Sequence, residues 1–349
     1  RQIVEFTTMV LAWNEICRVI IPIVPLYFAL VLGYCSVKWW KVFTEEQCNI
    51  LNRLVSLFTL PFLTFNLTSH TDPFTMNFRF IAADVISKLL IISILAFWAK
   101  CSAKGNYDWF ITSFSLTTMT SSIILGLPIL QAMYGKIGSD LIVQSSVVQS
   151  ILWVTLMLVG LEIRRALLDD EKPKDLEGNI EIKRSSSIDI MKAVSLKLAS
   201  NPTLYSVVLA LSWALISSRW GIRMPKVIEE SVLIMSKACP GTAMLTMGVL
   251  MGVQKRVVSC GAKLATMGMV LRFVFAPLTM AAGSVAVGLK GDVFYIGIII
   301  SAIPQSVASF VFAKQYDLHA DVLSTSVVFG LLVSLPVLIG YYSLLPFIN

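Results

Sequence analysis

Thr117-Thr118-Met119-Thr120-Ser121-Ser122, followed by Gly126 and Pro128, and then Ile303-Pro304-Gln305-Ser306-Val307-Ala308-Ser309, are the two stretches that decide how this chain is read. Each interrupts an apolar segment long enough to span a bilayer, and they lie about 180 residues apart. Backbone that leaves the helix at membrane depth must be buried in protein or line a cavity, because lipid offers its N–H and C=O groups no partner. Paired interruptions at corresponding places in two halves point to a secondary transporter with a binding site near the bilayer midplane.

The rest of the chain fits that setting. Of 349 residues, 56% are hydrophobic and 14% charged, whereas a soluble domain carries about 25% charged residues. The mean hydropathy is +0.78. The net charge of +7 comes from basic residues in short loops between apolar runs, which is an orientation signal and not a nucleic-acid stripe. Cys17, Cys35, Cys48, Cys101, Cys239 and Cys260 have no paired spacing, and His70 and His319 stand far apart. Neither a disulfide framework nor a metal site is expected, and no cofactor motif is found. Asn66-Leu67-Thr68 fits a glycosylation sequon but falls within an apolar run. Residues 1–8 add nothing that fits the spans downstream, so Met9 is a candidate start, and no cleavable signal peptide is expected.

With about 20 apolar residues per span, the sequence predicts an all-α polytopic membrane protein with ten spans: near 19–37, 48–68, 78–99, 109–132, 140–163, 200–218, 228–252, 261–288, 293–314 and 322–346. The interval 164–192 reads as a flexible, charged central loop. It divides a first five-helix repeat (19–163) from a second (193–347). The halves show weak likeness: Tyr27 and Tyr205 are 178 apart, Pro61 and Pro240 179, Asp140 and Asp321 181, and Tyr134 and Tyr316 182. An odd number of helices per repeat makes the second copy enter the membrane inverted, so broken helices four and nine cross. Basic residues then place the central loop in the cytosol, with Lys38, Lys41, Lys100, Lys104, Arg164, Arg165, Lys255, Arg256 and Lys314, and both termini on the opposite side.

The candidate site lies at the breaks. Half-helix N-termini expose free N–H groups and partial positive charge, a pairing suited to a carboxylate. Thr120, Ser121, Ser122, Gln305, Ser306 and Ser309 add hydroxyl and amide donors without a buried charge. The bland alternative is that these small polar residues simply close helix packing. Asp84 and Lys88 share one helix face, and a charge at that depth is expensive. They either stabilise the broken helices beside the path, or respond to protonation there, or form a self-neutralised pair near an interface with Lys88 snorkelling. Gln149 either bonds across helices or donates to a ligand. Arg53, Lys237 and Arg272 read more readily as interfacial anchors than as ligands, and the tryptophans, Trp39-Trp40 among them, as interfacial belts.

Several runs resemble the PIN-FORMED auxin efflux carriers from about Trp13 to Phe347. Among them are Val24-Pro25-Leu26-Tyr27, Phe43-Thr44-Glu45-Glu46-Gln47-Cys48, Leu125-Gly126-Leu127-Pro128-Ile129-Leu130, Gln149-Ser150-Ile151-Leu152-Trp153, Pro304-Gln305 and Phe310-Val311-Phe312-Ala313-Lys314. With roughly 30 central polar residues the chain looks like a short-looped, endoplasmic-reticulum type. Ser36-Val37-Lys38-Trp39-Trp40 and Ile81-Ala82-Ala83-Asp84-Val85 resemble the family's fifth-member branch most. The resemblance implies a dimerising scaffold, a moving transport domain and elevator-type, uncoupled export of indole-3-acetate and similar aromatic carboxylates from the cytosol into the reticulum lumen. It implies carboxylate contacts at Ser121, the backbone near Ile124, Gln149 and the backbone near Val307 beside Pro304, and a support site at Asp84 and Lys88; with Thr120, Gln305 and Ser306 from the breaks these make up the expected substrate site. The chain departs from the family where Thr120-Ser121-Ser122 replaces the usual Pro-Asn-Thr, and where Ser309 replaces a second proline. Other classes to be weighed are a sodium- or proton-coupled organic-anion carrier and a membrane hormone binder without flux. An enzyme is disfavoured, since no nucleophile–base or metal constellation is seen.

Overall fold

A computed structural model describes residues 20–21, 23–102, 106–170, 187–254 and 260–345. The candidate start at Met9, the charged centre of the loop (171–186) and the basic positions 104, 255 and 256 lie outside the described residues. Within them the chain forms helices α1 (Val24–Lys38), α2 (Glu45–Ser69), α3 (Phe78–Cys101), α4 (Tyr107–Thr118), α5 (Leu127–Val148), α6 (Val154–Asp170), α7 (Ser187–Ala199), α8 (Pro202–Trp220), α9 (Lys226–Val253), α10 (Ala262–Val287), α11 (Asp292–Ser301), α12 (Val307–Gln315) and α13 (Ala320–Leu344). No strand occurs among the described residues, and the one bridge there pairs Thr120 with Gln305.

Local chemistry sets the helix ends. Thr44 and Gln47 form a reciprocal capping box at the start of α2. The side chains of Asn77, Asn106 and Asn201 accept the first free amides of α3, α4 and α8. The polar interval after residue 163 is more helical than its composition suggests: α6 runs on to Asp170 and helix resumes at Ser187.

Six helices are long and apolar enough to cross a membrane, or seven if α7 and α8, bent by 72°, count as one. One of the six, Ser122–Leu168, is a 47-residue run. At about 1.5 Å per residue it would extend about 70 Å, more than twice the hydrocarbon core. It turns at Gly135 (φ 62°, ψ −136°). Other apolar segments fall below the length of a span because they are short or broken: α1 has 15 residues, α4 12, α11 10 and α12 9.

Prolines shape the long helices. Three π turns each end two residues before a proline: Val55–Thr59 before Pro61, Ser122–Gly126 before Pro128, and Leu271–Phe275 before Pro277. A proline offers no N–H and its ring presses on the carbonyl four residues back. A widened turn relieves that crowding, and the amides of Leu60, Leu127 and Ala276 reach back five residues instead of four. The carbonyl that Pro277 leaves without a donor, Phe273 O, is taken by the Tyr341 hydroxyl at 2.6 Å.

The helices pack in two groups. In the first, α1 lies on α9, and α2 lies on both α8 and α9. Glycine makes the α1–α9 contact possible, for a Cβ on Gly33 would lie 2.1 Å from Leu245 O and one on Gly248 1.9 Å from Leu30 O. Small residues let membrane helices approach this closely. In the second group α3 packs on α10 through Gly283, with Ser87 bonded to Thr279 at 3.3 Å. Phe80, Ile129, Ile142, Met280, Ile299 and Ile303 form its apolar core, joining α3, α5, α10 and α11. Between the groups runs a seam in which Met244, Met247 and Met251 of α9 meet Leu125, Val327 and Leu331. Exposed Phe28, Phe97, Leu209 and Leu278 cover the outside with the kind of surface that lipid accepts and water does not.

Gly248→Ala should force α1 and α9 apart and cost about 1–3 kcal/mol, as overpacking does. A drop of several degrees in the detergent melting temperature is expected. Gly340→Ala, which points into open space, should leave it unchanged.

Candidate functional site at the helix crossing

Helix α4 stops at Thr118 and α11 at Ser301, and the two breaks meet. Ser121 N–H donates to Pro304 O at 2.9 Å and Ser306 N–H donates to Met119 O at 3.1 Å. Thr120 and Gln305 face each other between these bonds, so the contact is a two-residue antiparallel ladder at the centre of the molecule. Each break thereby supplies the partners that lipid cannot.

Side chains satisfy the remaining backbone. Gln149 is wholly engaged with Thr120: its Oε1 accepts from the Thr120 amide (3.1 Å) and hydroxyl (2.6 Å), and its Nε2 donates to Thr120 O (2.9 Å). Gln305 Nε2 donates to Ser115 O at 2.9 Å, while Gln305 Oε1 is buried without a partner among the described residues. Of the two readings of Gln149, the structure displays the interhelical bond.

Arg272 is the residue that sequence reasoning misplaced. It is 2% exposed, not a snorkelling anchor. Its Nε donates to Ile303 O at 2.5 Å, and its Nη1 donates to Thr117 O at 2.8 Å and Leu116 O at 3.3 Å. It therefore clamps the C-terminal carbonyls of both α4 and the α11 break. Arg53 and Lys237 are exposed, in keeping with interfacial anchors.

Asp84 and Lys88 sit one layer behind the break. Lys88 Nζ lies 2.9 Å from Asp84 Oδ2, and Asp84 and Lys88 are 4% and 8% exposed, which rules out snorkelling. Trp153 Nε1 donates to the same oxygen at 3.4 Å, and the ammonium lies 5.3 Å from the Trp153 ring. A cavity of about 10 Å³, room for roughly one water, is lined by Asp84, Lys88, Thr117, Thr118 and Thr120. A wider cavity of about 350 Å³ lies between the end of α2, α5 and the start of α9, with Asn66, His70, Asp140 and Glu229 on its wall.

At the far ends of these helices lies a polar cluster. Arg164 grips Asp108 at 2.7 and 3.0 Å and donates to Tyr316 O at 2.8 Å. Lys197 of α7 pairs with Glu162 at 2.6 Å. His319 stacks on Trp109 and bonds Thr112 at 2.8 Å, and burial holds its imidazole below the ordinary histidine range. Among the described residues no three metal-binding side chains come together.

The comparisons with known proteins agree with this architecture. The family described as "Membrane transport protein" matches residues 18–342. Auxin efflux carrier component 5 of Arabidopsis thaliana is 52% identical over 96% of this chain and 99% of its own length. The chain belongs to the PIN-FORMED auxin efflux carrier family. Probable auxin efflux carrier component 5a of Oryza sativa subsp. japonica is 46% identical over 97% of the chain and all of its own length, and auxin efflux carrier component 8 of Arabidopsis thaliana 34% over 96% and 99%. It is a short-looped PIN-FORMED member, a multi-pass membrane transport protein and not an enzyme.

The eight residues expected to contact substrate lie at or beside the crossing, with Asp84 and Lys88 one layer behind it. Thr120, Ser121, Pro304, Gln305 and Ser306 form the ladder, Ile124 and Val307 flank it at the seam, and Gln149 closes on it from the start of the π turn Gln149–Trp153. The amides of Ser122, Ile123, Ile124 and Val307 open their helices and have no acceptor within them.

Gln149→Leu should strand the Thr120 amide and carbonyl, while the Thr120 hydroxyl keeps Ser122, and lower stability by about 1–3 kcal/mol, the cost of unpaired buried polar groups. Ser150→Ala, whose hydroxyl only bonds back to Ser146 O, should be near neutral in the same thermal melt.

Proposed function

We propose that this chain is an auxin carrier: a ten-span protein of two inverted five-helix repeats, 19–163 and 193–347, that moves indole-3-acetate or a like aromatic carboxylate from the cytosol into the endoplasmic reticulum lumen. The observation that carries the reading is the crossing, where two sets of open helix N-termini, at Ser122–Ile124 and at Val307, converge beside a half-exposed apolar seam. The amides suit a carboxylate and the seam suits an aromatic ring. Gln149 Nε2 would pass from Thr120 O to the ligand. The names of the relatives support auxin as the hormone carried.

The inverted repeat is supported by symmetry of contact. Exchanging the halves converts the α1–α9 contact into the α8–α2 contact, maps α3–α10 onto itself, and relates Met119, Thr120 and Ser121 to Pro304, Gln305 and Ser306. Helices α1, α2, α8 and α9 would be the stationary, dimerising scaffold, and the remainder would rise and fall as an elevator around them. The exposed lipid-like faces of α1 and α8 leave room for a second copy. The Lys88 ammonium, fixed against Asp84, occupies the kind of place a coupling cation would need, which favours an uncoupled mechanism over sodium or proton coupling.

Proteoliposomes holding the purified protein should take up labelled indole-3-acetate saturably without sodium or a proton gradient. Uptake that collapses without either ion would establish the coupled carrier instead, and binding with no flux a hormone binder. Lys88→Ala should cut flux strongly while the protein still folds, and near-normal flux would reduce the pair to packing. Ser121→Asn should tighten anion binding about fivefold, the worth of one net hydrogen bond of about 1 kcal/mol, and unchanged affinity would move the carboxylate away from residue 121.

A further inference from the structure

We infer that Arg272 is the residue that fixes the charge rule of the crossing, so that the site accepts one negative charge and discriminates against both neutral and doubly charged ligands. The inference rests on the carboxylate reading above and deepens it.

The crossing carries four half-helix ends. Two are C-termini, at Thr118 and Ser301, and two are N-termini, at Ser122 and Val307. Each end behaves as roughly half an elementary charge, negative at a C-terminus and positive at an N-terminus. Left alone, the four ends sum to about zero, and a carboxylate at the crossing would feel little net attraction. Arg272 changes that sum. Its guanidinium bonds Thr117 O and Leu116 O on one C-terminus and Ile303 O beyond the other. One full positive charge thus sits on two C-terminal ends worth about −1 together, and cancels them.

The pair of N-termini, worth about +1, is left unmatched. The other charges nearby do not alter this, because Asp84 and Lys88 are paired with each other. A monocarboxylate would complete the neutrality of a buried site. A neutral amide would leave about +1 unmatched, and a dianion about −1, each in a medium where uncompensated charge is costly. Among the described residues no carboxylate pairs with Arg272, which bonds carbonyls alone, so its full charge is left to balance the helix ends. The Leu271–Phe275 π turn holds it in place.

The test is a binding measurement on purified, detergent-solubilised protein, with the wild type, Arg272→Gln and Arg272→Lys each given indole-3-acetate, its neutral amide and the dianion indole-3-malonate. Phenylacetate and phenylacetamide serve as a second pair that does not depend on the indole ring. The wild type should prefer the monoanion over both competitors by about tenfold or more. Arg272→Gln should bring the carboxylate-to-amide ratio towards unity. Arg272→Lys, which keeps the charge but cannot hold the same three carbonyls, should melt lower yet keep the ratio. A purely structural arginine would lower the melting temperature in both variants and leave the ratio alone, and that result would overturn the proposal. Should Arg272→Gln fail to fold, the wild type decides: a dianion or amide bound as tightly as the monoanion would overturn it. Binding of phenylacetate without indole-3-acetate would sink the auxin reading while leaving the charge rule standing, and binding of neither carboxylate would sink both.

Discussion

An unpaired peptide group inside a bilayer costs several kcal/mol, and the structure is organised around meeting that cost where two helices unwind together. The reciprocal bonds between Ser121 and Pro304 and between Ser306 and Met119 repair the two breaks at once. Neither break is tenable alone, since each is the other's hydrogen-bond partner. Gln149 and Arg272 then reach in from two other elements to close carbonyls that the ladder leaves open, and Gln305, within the ladder, ties its side chain back to Ser115 O. The polar residues at the crossing therefore serve first to hold the backbone open. The N–H groups on the other side of each break are left over, and it is these that the proposed anion recognition would use.

Much of this was legible in the sequence, because breaks in apolar runs are rare and leave hydroxyl and amide residues behind. Thr120, Ser121, Gln305 and Ser306 stood out for that reason, and Asp84 with Lys88 because charge at that depth is exceptional. Arg272 was not legible. Its position on a 3.6-residue period places it without regard to the widened turn at Leu271–Phe275, which carries one extra residue and swings the side chain round the helix axis. The signal that would have found it is the proline five residues on, Pro277, since prolines at the same distance from the turns at Val55–Thr59 and Ser122–Gly126 mark them too. The bonded amides of Gln149 and Gln305 were equally hidden, because a glutamine's spacing says nothing about which way its two polar atoms are used.

The two helix groups are held by different means. The α1–α9 pair is fixed by backbone lying on backbone at Gly33 and Gly248, which leaves no side chain to yield. The group around the crossing adds polar contacts to its apolar core, among them Arg164 on Asp108 and on Tyr316 O, and Ser87 on Thr279. The π turns contribute by re-bonding the amides just before each proline inside long helices.

The methionine seam has a mechanical consequence. Met244, Met247 and Met251 present one body to Leu125, Val327 and Leu331 of the other. Unbranched thioether chains adopt many shapes at similar energy and fill uneven gaps as they form. The facing Leu125, Val327 and Leu331 are branched and stiffer, so the side of the seam that can reshape is α9. Under the elevator proposed above, the methionines would act as the lubricant of the boundary, re-filling its gaps at each step and keeping the contact dry.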